Sequence, residues 1–414
     1  MPSCDASEIV VSGLGVTTAI GQGKARFIAA LLEGVGRFHT MQRPGRQYPA
    51  GTDAASQFLG AEIDSLEIPA GIPRAMLRTA SLTGQVALTT LHEAWADAGL
   101  SNVDPTRIGL IVGGSNVQQR ELTQTHEAYR QKPQFLRPAY AMSFMDSDVC
   151  GMCTEAFGIE GMAYTLGGAS ASGQLAVLQA IRAVESGQVD VCIALGALMD
   201  LSFWECQGFR SLGAMGSDAF ASEPQLACRP FDQRRDGFIF GEACGAIVIE
   251  KAATARREHV KPYARVAGWA MKMDANRGAN PSFDGEVRVI QQALHKAGLS
   301  AHDIDYVNPH GSGSGVGDET ELRAFAQCGL QHAYINATKS LTGHGLSAAG
   351  AVELVATLLQ MQAGALHPTR NLDEPMDENW NWVRQKAVPH AIQRALKMSM
   401  GFSGVNSALC LERL

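Results

Sequence analysis

The sequence predicts an α/β fold with a sheet sandwiched between helices. Three observations carry this expectation: short runs rich in β-branched and other apolar residues alternate with longer amphipathic stretches, those runs are nearly continuous as in strands covered on both faces, and glycine or polar residues bound each of them. With 46% hydrophobic and only 18% charged residues over 414 positions, the chain can fill one large core or two fused ones, so disorder is not expected.

The elements follow in order. Ile9 to Val16 reads as a buried strand, and helical patterns follow at Ala25 to Glu33 and Thr79 to Asp97. A strand is expected at Ile108 to Gly114. Met162 to Leu166 is strand-like, is broken by Gly167 and Gly168, and leads into a helical stretch from Ala171 to Ser186 whose apolar positions include Leu175, Leu178, Ile181 and Val184. Strands at Val189 to Ala197 and Ala246 to Glu250 complete a first round. A second begins near Ala264, with a helix from Gly285 to Ala297, strands at Tyr306 to Pro309 and Ala333 to Asn336, and a helix from Leu346 to Gly364. The two rounds rhyme: Gly167 to Ser172 and Gly343 to Ala348 each place glycines and small residues at a helix start, as a duplicated architecture would.

Bulk properties exclude several functions. A formal charge of -7 offers no long-range attraction to nucleic acid. The segment Met1 to Glu8 is polar, and the apolar run after it is interrupted by Gly13 and Gly15, unlike a secretory signal. No run approaches eighteen or so consecutive apolar residues, so a cytoplasmic protein without a membrane span is expected. Nine cysteines, scattered from Cys4 to Cys410, suit reduced thiols. Cys150 and Cys153 have metal or redox spacing but no second pair or histidine nearby in sequence, and are read as buried structural thiols.

Ser170 falls at a helix N-terminus, where unpaired N–H groups and the helix dipole favour a nucleophile or a developing oxyanion. The same place suits an N-cap serine, and this segment alone does not choose between the two. The elbow G-x-S-x-G is not met, because Ser172 occupies its final position. His310, in Asn-Pro-His-Gly-Ser-Gly-Ser-Gly, and His344, in Lys-Ser-Leu-Thr-Gly-His-Gly, each follow a strand-like run and sit among glycines that permit close approach, with Lys339 five residues before the second.

Together, Ser170 in Ala-Ser-Ala-Ser-Gly, His310 in His-Gly-Ser-Gly-Ser and Lys339 with His344 in Lys-Ser-Leu-Thr-Gly-His resemble the Cys-His-His site and lysine of the β-ketoacyl synthases. The likeness continues through Arg229-Pro-Phe-Asp232, Arg235-Asp-Gly-Phe238 with Gly241-Glu242, Ala348 to Glu353, Gly401 to Asn406 and the opening Val11 to Thr17. It implies a thiolase-like, duplicated αβαβα fold in five layers, halves at 1–257 and 258–414, and a homodimer.

Two departures stand out: serine at the cysteine position, and Met400 where a gating phenylalanine is common. A hydroxyl is a far weaker acid than a thiol and needs a base, so acyl loading should largely fail. The resemblance is then to the serine-for-cysteine ketosynthases of polyketide β-branching cassettes. It implies decarboxylation of a malonyl group on an acyl carrier protein, with His310 and His344 holding the enolate, Lys339 orienting the site, and an oxyanion hole of the Ser170 and Phe402 N–H groups. The implied partners are the carrier protein, whose phosphopantetheine arm brings the substrate, and a downstream enzyme like hydroxymethylglutaryl synthase; no metal or cofactor of the protein's own is implied. Arg74 and Arg78, four apart in Pro-Arg-Ala-Met-Leu-Arg, are candidates for docking the acidic carrier. Rival readings are a non-catalytic partner like a chain-length subunit, which usually lacks the histidines, a serine acyltransferase or thioesterase, and an ordinary condensing enzyme.

Overall fold

A computed structural model of the chain describes residues 5–48 and 56–414, so Cys4 and the rest of Met1 to Cys4 lie outside the described residues. The strands that build the main sheet are β1 (Ile9–Thr18), β2 (Ile108–Gly113), β3 (Ala163–Leu166), β4 (Val191–Gly196), β5 (Ala243–Lys251), β6 (Ala264–Met273), β7 (Tyr306–Asn308), β8 (Tyr334–Ile335), β9 (Asn381–Trp382), β10 (Arg394–Gly401) and β11 (Val405–Glu412). The helices that cover it are α1 (Lys24–Glu33), α2 (Leu82–Asp97), α3 (Ser147–Phe157), α4 (Ser172–Glu185), α5 (Phe283–Ala297), α6 (Gly315–Gln327) and α7 (Ala349–Ala363). Every residue of β1, β2 and β4 is buried, which is why these strands read as continuous apolar runs.

The strands lie in the order β9-β8-β7-β10-β11-β6-β1-β5-β4-β2-β3. From the central β6–β1 pair outward, each half repeats one pattern. β1–β5 and β5–β4 are antiparallel, β4–β2 and β2–β3 parallel. On the other side β6–β11 and β11–β10 are antiparallel, β10–β7 and β7–β8 parallel. The helices α2 and α3 cover the first half-sheet from outside, α5 covers the second with α6 packed on it, and α4 and α7 lie between the half-sheets, giving five layers. The middle layer touches both: Gln174 on α4 donates to Lys397 O and Ser407 Oγ of the second half-sheet, at 3.4 and 3.1 Å. Here α4 and α7 meet backbone to backbone, since a Cβ on Gly350 would sit 2.7 Å from Gln174 N.

The rhyme between the halves has a conformational basis. Ala169 and Leu346 both adopt φ of 49°, each opens a 3₁₀ turn, and each turn feeds a middle-layer helix. A left-handed non-glycine residue costs of order 1–3 kcal/mol, so the same strained turn is held in both halves by surrounding structure.

The Leu346–Ala363 stretch, with mean hydropathy 1.2 over 18 residues, is long and apolar enough to cross a membrane. It is 89% buried, because it is sandwiched between the two half-sheets, and its few polar side chains such as Glu353 are paired inside the protein. The helix expected from Thr79 begins at Leu82, where the Ser81 hydroxyl caps Gly84 N–H at 3.2 Å. The eight described cysteines are free thiols. Cys150 and Cys153 are both buried on α3, and burial pushes the Cys150 thiol up to about 11.

Candidate active site

Ser170 lies in the 3₁₀ turn Ala169–Ala171 between β3 and α4, and the α-helix proper begins two residues later. It caps nothing. Ser172 closes the turn instead, its hydroxyl donating to Ala169 O at 2.7 Å and accepting from Gly168 N–H at 2.9 Å. The Ser170 hydroxyl has no hydrogen-bond partner among the described residues and faces a cavity of about 90 Å³. That cavity is also lined by His310, His344, Met400, Gly401 and Phe402. The hairpin between β10 and β11 brings Phe402 to Ser170: a Cβ on Gly401 would stand 2.3 Å from Gly168 O, so only glycine lets the two turns touch. Neither the Ser170 nor the Phe402 N–H has an acceptor among the described residues.

His310 follows β7 and Pro309 on a loop held by acids of α6. Its N–H and that of Gly311 donate to the two oxygens of Glu321, at 2.6 and 2.9 Å, while Asp318 accepts from Phe231 and Gly313 N–H at 2.7 and 3.1 Å. Lys339, fully buried, contacts His310 O and Glu353 and places its Nζ 3.4 Å from His310 Nδ1. His344 N–H donates to Ile239 O at 2.7 Å, and its Nδ1 accepts from Leu346 N–H at 3.2 Å. Both Nδ1 atoms thus face donors, which leaves each ring hydrogen on Nε2. The rings stand edge to face, 5.3 Å apart at 81°.

Both imidazoles are held well below their usual pKa, first by burial and then by the Lys339 and Lys397 ammonium groups, so they are neutral donors at neutral pH. His310 keeps part of its ring open to the cavity but is otherwise enclosed, and burial remains the largest cause for it too. A base able to take the Ser170 proton would need an unprotonated Nε2. Neither histidine presents one.

Sequence reasoning missed three parts of this site. Lys397, in the buried strand β10, lies 2.8 Å from Glu353 Oε2, an ion pair poorly angled for a hydrogen bond, so Glu353 sits between two buried lysines. Burial raises the carboxyls of Asp318 and Glu321 to about 6 and about 7. Glu286 on α5 also lines the cavity, fully buried. A signal existed for two of these: Glu286 occupies the apolar stripe Val289, Ile290, Ala293 and Leu294 of its helix, and Lys397 interrupts the run Ala395 to Met398. Arg74 and Arg78 stand apart from the cavity, exposed on and after the short helix Arg74–Leu77, with no ion pair among the described residues.

Comparison with known proteins places this geometry in context. The sequence matches the family description "Beta-ketoacyl synthase, N-terminal domain" over residues 6–255 and "Beta-ketoacyl synthase, C-terminal domain" over 263–373. It is 57% identical, over all of this chain and 98% of the relative, to the polyketide biosynthesis malonyl-ACP decarboxylase PksF of Bacillus subtilis (strain 168). Among solved structures it is similar to a β-ketoacyl synthase from Burkholderia phymatum STM815, with TM-score 0.86, 26% identity, and 99% of this chain and 100% of that one covered. It is also similar to a ketosynthase in complex with its type II polyketide synthase acyl-carrier protein and bound to the hexaketide, with TM-score 0.83, 26% identity and the same coverage.

Proposed function

The chain belongs to the β-ketoacyl synthase family, and we propose that it is a malonyl-acyl carrier protein decarboxylase that makes acetyl-acyl carrier protein and does not condense. One observation carries this reading: the two donors an enolate needs belong to neutral histidines that line the cavity with their hydrogens on Nε2, whereas Ser170 has no base beside it among the described residues. The 57% identity to a relative named for malonyl-ACP decarboxylation supports it.

In this reading the malonyl thioester carbonyl oxygen accepts from His310 and His344. The bond from the α-carbon to the carboxylate breaks, its electron pair flows into the enolate, carbon dioxide leaves, and the oxygen gains negative charge between the two donors. Lys339 fixes the His310 carbonyl and ring, and keeps both imidazoles neutral. The N–H groups of Ser170 and Phe402 form the oxyanion hole, and Met400 shapes the entrance to it. The malonyl group sits in the cavity that Ser170, His310, His344 and Met400 line together.

The substrate arrives on the phosphopantetheine arm of a carrier protein that Arg74 and Arg78 attract, and no cofactor of the protein's own takes part. The acetyl product serves polyketide β-branching, where an enzyme like hydroxymethylglutaryl synthase consumes it. The halves divide at 257/258, between β5 and β6. The protein works in the cytoplasm, which its free thiols suit, as a homodimer joined along β3, an edge strand with Ala163 and Tyr164 exposed. Incubating malonyl-carrier protein with the enzyme alone, and weighing the arm by mass spectrometry, tests the proposal. Conversion of malonyl to acetyl is expected; an unchanged malonyl arm overturns it.

A further inference from the structure

The decarboxylase reading leaves the enolate carbon in need of a proton, since no acyl group waits on Ser170 to consume it. Resting on that reading, we propose that Glu286 is the catalytic acid that protonates this carbon from the wall of the same cavity. Glu286 is one of the residues that line the space that Ser170, His310, His344 and Met400 also line. The side chain is fully buried, in the first turn of α5, and neither of its oxygens has a hydrogen-bond partner among the described residues. The histidines cannot easily fill the role, because each has a single ring hydrogen, on Nε2, and that hydrogen is engaged at the enolate oxygen.

The surroundings keep Glu286 protonated. Facing it are Glu321 from α6 and Asp274 from the segment after β6; Asn406 of β11 has its amide turned to Asp274, to which it donates at 2.6 Å. The buried lysines act on Glu321 and Glu353, and no cation among the described residues contributes to Glu286. Burial first, then these two acids, raise its carboxyl well above the usual range, so at neutral pH it carries a transferable hydrogen. The step balances: the Glu286 O–H bond breaks, the carbon–carbon π pair of the enolate forms the new C–H bond at the α-carbon, a lone pair on the enolate oxygen re-forms the thioester carbonyl, and solvent water reprotonates the carboxylate after the acetyl arm leaves.

Microscopic reversibility gives a direct test. The Glu286 carboxylate should also remove an α-hydrogen from acetyl-carrier protein, so the parent enzyme in D₂O should place deuterium in the acetyl methyl group. Glu286→Gln, nearly isosteric with the neutral acid, is expected to melt like the parent and to release a burst of one carbon dioxide per site. It should then form acetyl product about a hundredfold more slowly and, when given preformed unlabelled acetyl-carrier protein in D₂O, leave its methyl group undeuterated. Glu286→Asp, which keeps a titratable acid, should recover part of the exchange. A Glu286→Gln enzyme that makes acetyl and exchanges deuterium at parent rates overturns the proposal. So does one that loses the carbon dioxide burst as well, since that places the residue before C–C cleavage. A parent enzyme that releases no carbon dioxide would instead overturn the decarboxylase reading itself.

Discussion

Truncating His344 to alanine removes one of the two donors and nothing else that touches the substrate. The ring is held from two sides, its Nδ1 under Leu346 N–H at 3.2 Å and T-shaped against Phe238 with ring centres 5.2 Å apart, while the backbone N–H of His344 is fixed on Ile239 O at 2.7 Å. A donor fixed in this way, in a buried site, needs no reorganisation as charge develops. Its loss should cost about 2.7–4 kcal/mol of barrier, a fall of about a hundredfold to a thousandfold in rate. The deficit should appear in kcat with KM little changed, because the ground-state carbonyl carries less charge than the enolate. Single-turnover mass spectrometry of the carrier arm measures the rate, and a melting curve checks the fold. His344→Gln, which keeps an N–H donor, should regain part of the loss. A folded His344→Ala enzyme with the parent kcat, or one impaired only in KM, would refute enolate stabilisation by this histidine.

Ser170→Ala should keep much of the decarboxylase activity, since only the backbone N–H is required of that position, whereas a serine nucleophile would lose several orders of magnitude; Ser170→Cys should become acylated by a thioester. Lys397→Met removes one of the cations that oppose protonation of His310 and His344, so their titration midpoints should rise, as NMR of labelled imidazoles can follow. A protonated ring puts hydrogen on Nδ1, against the Lys339 ammonium or the Leu346 N–H. The acid limb of the rate profile should therefore also move to higher pH, and unchanged midpoints would contradict this. Reversing Arg74 and Arg78 to glutamate should raise KM for malonyl-carrier protein and weaken its salt dependence; unchanged kinetics at low salt would remove them from docking.

Strands such as Ile108–Gly113 and Val191–Gly196 were legible because both of their faces are covered, which writes burial into the sequence as uninterrupted apolar residues. The turn at Ser170 was legible only in part. Its glycines marked a break, but the left-handed Ala169 and the substitution of Ser172 for Ser170 as the turn-closing serine depend on packing against Gly401, more than two hundred residues away. Ser170, His310, His344 and Lys339 could be singled out in the sequence because each stands in a local motif. Lys397 and Glu286 were not, because each acts through neighbours remote in sequence, Glu353 for one and Glu321 with Asp274 for the other. A charged residue inside an apolar stripe was the only local sign of either.

The central claim is that carbon–carbon cleavage survives here while acyl transfer does not. Supplying malonyl-carrier protein together with an acyl thioester, and following carbon dioxide, the carrier arm and the intact mass of the enzyme in one reaction, tests it directly. The expected result is one acetyl arm for each carbon dioxide, with Ser170 unmodified throughout. An acylated Ser170, or a β-ketoacyl arm in place of acetyl, would contradict it.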